Sequence, residues 1–127
     1  MTENEVAKIV VDAAYQIHVK MGPGLLESVY ETVLEHELRK RGLHVNRQVP
    51  VSIVYDELVV SDAFRADLIV EDLVILELKS VEQMHPVYAK QLQTYLKLTG
   101  KRLGLLINFN TKLIRDGITR VANGLPD

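Results

Sequence analysis

The sequence predicts an α/β (α+β) fold, a central mixed sheet flanked by helices in the order α-α-β-β-β-α-β. Three observations predict it. Two segments with helical apolar spacing open the chain, a β-branched alternating region follows, and a third helical segment separates the last two apolar strands. A helix crossing between two strands of a sheet otherwise built from hairpins makes that sheet mixed.

Each element has its own signal. Val6, Ile9, Val10, Ala13 and Ile17 repeat at helical spacing, which predicts an amphipathic helix over about residues 3–20. "MGPG" (Met21–Gly24) breaks it. A second helix is expected near Leu25–Arg41, with Leu26, Val29, Tyr30, Val33 and Leu38 inward and Gly42 as its stop. "VNRQVPVSIVYDELVV" reads as a strand, a turn at Asp56-Glu57 and a short return. Pro50 makes that strand an edge strand or a bulged one, since proline cannot donate to a ladder. Two more strands are expected at about Ala63–Val70 and Val74–Val81. His85-Pro86 opens a third helix with proline in its first turn, and Gly100 ends it. "RLGLLINF" is a short apolar strand, and "LIRDGITRV" adds a turn and a last small strand.

At 127 residues, 47% hydrophobic and 25% charged, the chain is expected to form a single domain, residues 1–127. Without cysteine there are no disulfides or thiolate metal sites. The acidic opening "MTENEVAKIV" is not a signal peptide, and no run reaches the roughly 20 apolar residues that span a bilayer. A cytoplasmic protein with no membrane partner is expected. The net charge of −2 is unevenly spread: −1 over residues 1–47, −6 over 48–83 and +5 over 84–127. An acidic middle and a basic end would place a cation site beside an anion-binding surface, or would simply be surface charge.

The two central strands hold charges where apolar residues belong. In "FRADLIVEDLVILELKS" (Phe64–Ser80), Asp67 interrupts one strand and Glu77 and Lys79 the other. Burying a charge costs several kcal/mol unless it is paired or metal-bound. By strand alternation Ala66, Leu68 and Val70 share one face, and Arg65, Asp67 and Ile69 the other. A three-residue loop at Glu71-Asp72-Leu73, or a bulge, aligns the apolar rows and sets Asp67 across from Glu77. A two-residue turn would bury one charge in the core, so the odd loop is expected. Opposed carboxylates repel, and a divalent cation removes that penalty; hard oxygen donors suit Mg²⁺ or Mn²⁺. Lys79 shares the face of Glu77. A salt-bridged cluster of Arg65, Asp67, Glu77 and Lys79 accounts for the same pattern without chemistry.

"AD" followed ten residues later by "ELK" resembles the D…(D/E)-x-K signature of the PD-(D/E)xK nuclease superfamily, and the element order resembles its restriction-endonuclease-like core. "QLQTY" (Gln91–Tyr95) resembles the Q-x-x-x-Y motif of RecB-like members, and "GLLESVY" (Gly24–Tyr30) the motif of the GxxExxY branch. The resemblance covers about residues 7–120. Ala66 stands where the signature has proline; neither residue supplies a ligand.

The resemblance implies a Mg²⁺- or Mn²⁺-dependent nuclease that hydrolyses phosphodiester bonds of nucleic acid, DNA favoured, through a metal-activated water. It implies Asp67, Glu77 and the Leu78 carbonyl as metal ligands, and Lys79 as the residue that orients water and offsets transition-state charge. Glu27 would be the upstream acidic residue at the metal, against the plainer reading of an acidic group favouring a helix N-terminus. Gln91 would position the site and strand. Arg65, Tyr95, Lys90 and Lys97 are candidate substrate contacts, although Lys90, Lys97 and Lys101 also read as an ordinary solvated stripe. A nuclease-like module that binds nucleic acid or protein without cutting is the alternative. A homodimer or partner protein is expected to extend so small a grip. His18, His36, His44 and His85 show no ligand spacing and read as structural.

Overall fold

The computed structural model describes residues 1–126. Helix α1 (Glu3–Met21) and helix α2 (Glu27–Lys40) precede β1 (Val45–Tyr55), β2 (Leu58–Val70) and β3 (Val74–Lys79). Helix α3 (Pro86–Thr99), β4 (Leu103–Asn108), a 3-10 turn (Ile114–Gly117) and β5 (Ile118–Ala122) follow. α1 and α3 start where the sequence directs, whereas Leu26, expected to face inward from α2, is its exposed N-cap. Thr2 and Glu5 form a reciprocal capping box on α1, and Pro86 occupies the first turn of α3.

The five strands lie in chain order. β3 and β4 are parallel, with α3 as the crossover, and every other neighbouring pair is antiparallel. The predicted mixed sheet is therefore present. On one face Val6, Val10, Ala13 and Ile17 of α1 and Leu34 and Leu38 of α2 pack on Leu68, Val70, Leu76, Leu78, Leu105 and Ile107. On the other, Leu92 and Leu96 of α3 pack on Ala66, Ile69, Ile75, Leu106 and Val121. Gly104 permits that second contact: a Cβ there would meet the Leu92 side chain at 2.8 Å.

The hairpin between β2 and β3 has the odd loop. Leu68 pairs with Leu76, Ile69 with Ile75 and Val70 with Val74, leaving Glu71, Asp72 and Leu73 outside the ladder. Glu71 and Asp72 are left-handed, and the Leu73 amide donates to Val70 O at 3.0 Å. Lys101 Nζ donates to the Asp72 carbonyl and carboxylate at 2.9 Å each, so this lysine fastens the hairpin loop.

Two expectations about the strands change. The short return and the next strand are one continuous β2, because a bulge absorbs the irregularity. Register shifts between Val51 and Ile53, and Asp62 takes a left-handed conformation. The expected face of Ala66 is also corrected. It packs with Ile69 on the α3 side, while Leu68 faces α1 and α2. The cause is a paired kink: Gln48 has φ 51°, and the ladder of β1 and β2 omits Gln48 and Asp67 while keeping the same register on either side. β1 is an edge strand, which accommodates Pro50.

Candidate active site

Where Asp67 and Glu77 face each other, the backbone ladder of β2 and β3 gives way. Its last pair is Leu68 with Leu76. Beyond it the Asp67 amide donates to Glu77 Oε2 at 2.8 Å, and the Leu78 amide donates to Asp67 Oδ2 at 2.8 Å. Two carboxylates thus stand in for two backbone carbonyls, and the strands fork around them. The Leu78 side chain is fully buried in the core.

The start of α2 is tied to this fork. Tyr30, fully buried and stacked on Phe109 at 4.4 Å, donates to Gly22 O at 2.6 Å and accepts from the Leu25 amide at 3.2 Å. Gly22 has φ 72°, a conformation that glycine adopts without strain. Ser80 Oγ, just past β3, donates to Leu25 O at 2.6 Å. These bonds fix the turn that delivers Glu27, the first residue of α2, beside the end of β3. Asn108 holds the far side of the loop by accepting from the Val81 amide at 3.1 Å and donating to its carbonyl at 2.9 Å.

The acids of the fork and the start of α2 act on one another's charge. Burial raises the Glu77 pKa to about 8; the Asp67 charge adds to this, while the Asp67 amide and Lys79 oppose it. Asp67 is also raised, first by burial and then by Glu31, against the Leu78 amide, Lys79 and Gln48. Glu27 is exposed at the start of α2, and only partial desolvation raises its pKa, with Lys79 opposing and Asp67 and Glu31 adding. Such raised carboxyl groups mark a place short of positive charge. Lys79 is the one cation that appears among the influences on all three, and its Nζ lies 4.4 Å from the centre of the Tyr88 ring.

A hollow of about 360 Å³ is lined by Leu26, Glu27, Ser28, Glu31, Gln48 and Asp67. Glu27 and Asp67 share this hollow, Glu77 adjoins them through its bond to the Asp67 amide, and the charge of Lys79 reaches all three. Gln91 is exposed and lines a separate hollow of about 420 Å³ with Phe64, Lys90, Thr94 and Tyr95. Tyr95 links the two: it stacks on Phe64 at 3.9 Å, and its pKa is raised by burial and then by the Glu77 and Asp67 charges. Arg65 is exposed and lies between Phe64 and Ala66, both of which pack with α3 residues, so it points to the opposite face. Lys97 is exposed on α3. Among the described residues no three or more His, Asp or Glu side chains are already grouped to hold a metal ion. One oxygen of Asp67 and one of Glu77 are each turned onto a backbone amide.

Sequence reasoning missed Glu31, Gln48 and Tyr88. Glu31 is 6% exposed, and its Oε2 accepts from Arg47 Nε at 2.8 Å. Its spacing of four from Glu27, on one helical face, was the available signal. Gln48 carried none, because its position depends on a left-handed residue inside a strand. Such a conformation costs about 1–3 kcal/mol and needs its surroundings to hold it. Tyr88 shares a helical face with Gln91 and Tyr95, but the reach of Lys79 to its ring needs the packed helix.

The family model described as the PD-(D/E)XK nuclease superfamily matches residues 4–121. Among solved structures, the crystal structure of SSO0001 is similar to this chain with a TM-score of 0.59. The match has 19% identity and covers 95% of this chain and 67% of that one, a likeness of fold. No curated protein matches the chain.

Proposed function

Because this chain belongs to the PD-(D/E)XK nuclease superfamily, we propose that it is a metal-dependent nuclease that hydrolyses phosphodiester bonds of nucleic acid, DNA favoured. One observation carries the reading: β2 and β3 fork at two half-buried carboxylates, with the charge of Lys79 acting on both.

The donor set fits a hard divalent cation. Asp67, Glu77 and Glu27 offer carboxylate oxygens, and the Leu78 carbonyl would add a fourth donor. Glu77 Oε1 accepts no hydrogen bond from a described residue, so it is available without breaking the fork. Mg²⁺ or Mn²⁺, when bound, supplies Lewis-acid charge at the phosphoryl oxygens and makes water acidic enough to attack.

The remaining work falls to the chain. Lys79 orients the attacking water and offsets the negative charge that grows on the phosphoryl oxygens. The water oxygen bonds to phosphorus as the bond to the departing sugar oxygen breaks, and a proton passes to that oxygen. Glu27, across the hollow, holds the acidic side of the site. Gln91 and Tyr95 with Lys90 would guide the strand along α3, Lys97 would meet phosphates farther out on that side, and Arg65 would do so on the opposite face. The hairpin of β1 and β2 exposes Val54, Tyr55, Leu58 and Val59. A second copy of the chain would cover this apolar tip and enlarge the grip on a duplex.

The test is incubation with labelled single- and double-stranded DNA and RNA in Mg²⁺, Mn²⁺ or EDTA. Cleavage that needs the metal and vanishes in Asp67→Ala supports the proposal. Binding without cleavage in either metal would make the chain a silent nucleic-acid-binding module.

A further inference from the structure

The hollow beside Asp67 contains one carboxylate to which the reaction assigns nothing. Glu31 is almost wholly buried, yet both its oxygens are engaged. Oε2 accepts from Arg47 Nε at 2.8 Å and Oε1 from Gln48 Nε2 at 2.7 Å. The same Gln48 nitrogen reaches Asp67 Oδ1 at 3.4 Å. A primary amide nitrogen has two hydrogens, so it alone among uncharged side-chain groups can donate to two anions at once. The left-handed turn at Gln48 and the interruption of the ladder opposite Asp67 fall on the same pair of positions. The backbone departs from the strand at the place where it aims this amide between two carboxylates.

We infer that Gln48 and Glu31 are positioning residues for Asp67. Leu78 N–H fixes Asp67 Oδ2 from one side, and Gln48, itself held by Glu31, restrains Oδ1 from the other. Arg47 balances the charge of Glu31, so the relay brings no additional unpaired anion into the cleft. The carboxylate plane of Asp67 is thereby set before any cation or substrate arrives. The inference rests on the nuclease reading for what Asp67 does, and on the hydrogen bonds alone for how it is held.

Two measurements on purified protein test it. The first is Mn²⁺ affinity without nucleic acid. The second is the Leu78 amide proton resonance in metal-free protein, which reports the bond to Asp67. Gln48→Leu, at an exposed position, is expected to weaken Mn²⁺ about 10–100-fold, the usual cost of losing an outer-shell partner, and to shift the Leu78 resonance. Glu31→Gln should act in the same direction, and the two effects should not add, because both act through one amide. Glu35→Gln, which meets Arg47 at 3.5 Å and not Gln48, should change neither reading. An unmoved Leu78 resonance with wild-type Mn²⁺ affinity in Gln48→Leu would overturn the inference. If the wild type itself binds no Mn²⁺, the nuclease reading falls, and the Leu78 resonance alone decides the positioning role: shifted supports it, unmoved refutes it.

Discussion

Asp67 and Glu77 hold each other's strand by a side chain. The Asp67 amide donates to Glu77 Oε2, and Asp67 Oδ2 accepts from the amide of Leu78, the residue after Glu77. Each carboxylate therefore has a structural job in the fold as well as the proposed chemical one. Their repulsion and desolvation oppose that job, and the raised pKa of both groups records the opposition.

The two jobs separate by substitution. Glu77→Gln keeps an oxygen for the Asp67 amide and resembles the protonated acid, so its melting temperature at pH 7 should match or exceed the wild-type value. Cleavage should be lost. Glu77→Ala orphans the amide, at a cost of about 1–3 kcal/mol, partly offset by the removed repulsion. Thermal melting beside a gel cleavage assay checks both. A Glu77→Gln protein that still cuts at the wild-type rate would exclude Glu77 from the chemistry.

The same groups set a pH dependence. The folded Glu77 pKa of about 8 lies above the ordinary 4.5, so the folded state binds the proton more tightly than the unfolded chain. Its contribution is complete below pH 4.5 and is lost as pH rises through 8; Asp67 and Glu27, also raised, add in the same direction. The metal-free protein should melt lower at pH 8.5 than at pH 6, by an amount on the order of a few kcal/mol in stability. A divalent cation prefers the ionised carboxylates, so Mn²⁺ should raise the melting temperature most at pH 8.5. Melting curves in EDTA and in Mn²⁺ across this range decide it; equal curves in EDTA at both pH values would contradict the sign.

How much of this was legible follows from which constraints are local. Leu68, Val70, Val74, Leu76 and Leu78 must share a buried face, and period two then dictates the odd loop and the facing of Asp67 and Glu77. That chain of reasoning needs only neighbours. Ala66 escaped it, because the kink that turns its face lies in the Gln48 backbone on another strand. Glu31 offered only its spacing of four from Glu27, because its partners Arg47 and Gln48 come across from β1. Lys101 read as part of a basic stripe, whereas its ammonium is spent on Asp72 in a loop 29 residues away.

Lys79 is held by the Tyr88 ring, 4.4 Å from its Nζ, and a cation–π contact of this kind is worth about 0.5–2 kcal/mol. Tyr88→Leu removes the contact but not the charge. Turnover is expected to fall up to about tenfold, the rate equivalent of roughly 1.4 kcal/mol, with nucleic-acid affinity unchanged. Lys79→Met should cost considerably more. Single-turnover rates at saturating substrate separate the two, and equal losses in both variants would mean that Tyr88 acts on the fold and not on the lysine.

The basic last third of the chain supplies the remaining test, because its lysines are not equivalent. Lys90 is exposed and lines the hollow that contains Tyr95, itself within the field of Glu77 and Asp67. A phosphate backbone entering the fork past α3 would meet it. Lys101 faces the other way in function: its Nζ is 2.9 Å from Asp72 Oδ1, so its charge is already paired. Binding that releases counterions weakens with salt in proportion to the phosphates contacted. In EDTA, to prevent cleavage, Lys90→Ala should reduce the slope of log affinity against log salt by about one. Lys101→Ala should leave that slope unchanged while lowering stability slightly, since an exposed pair contributes about 0–1 kcal/mol. Equal slope changes in both variants would mean that nucleic acid reads α3 as an undifferentiated basic stripe. A path that leads from Lys90 past Tyr95 to the fork requires the two lysines to differ.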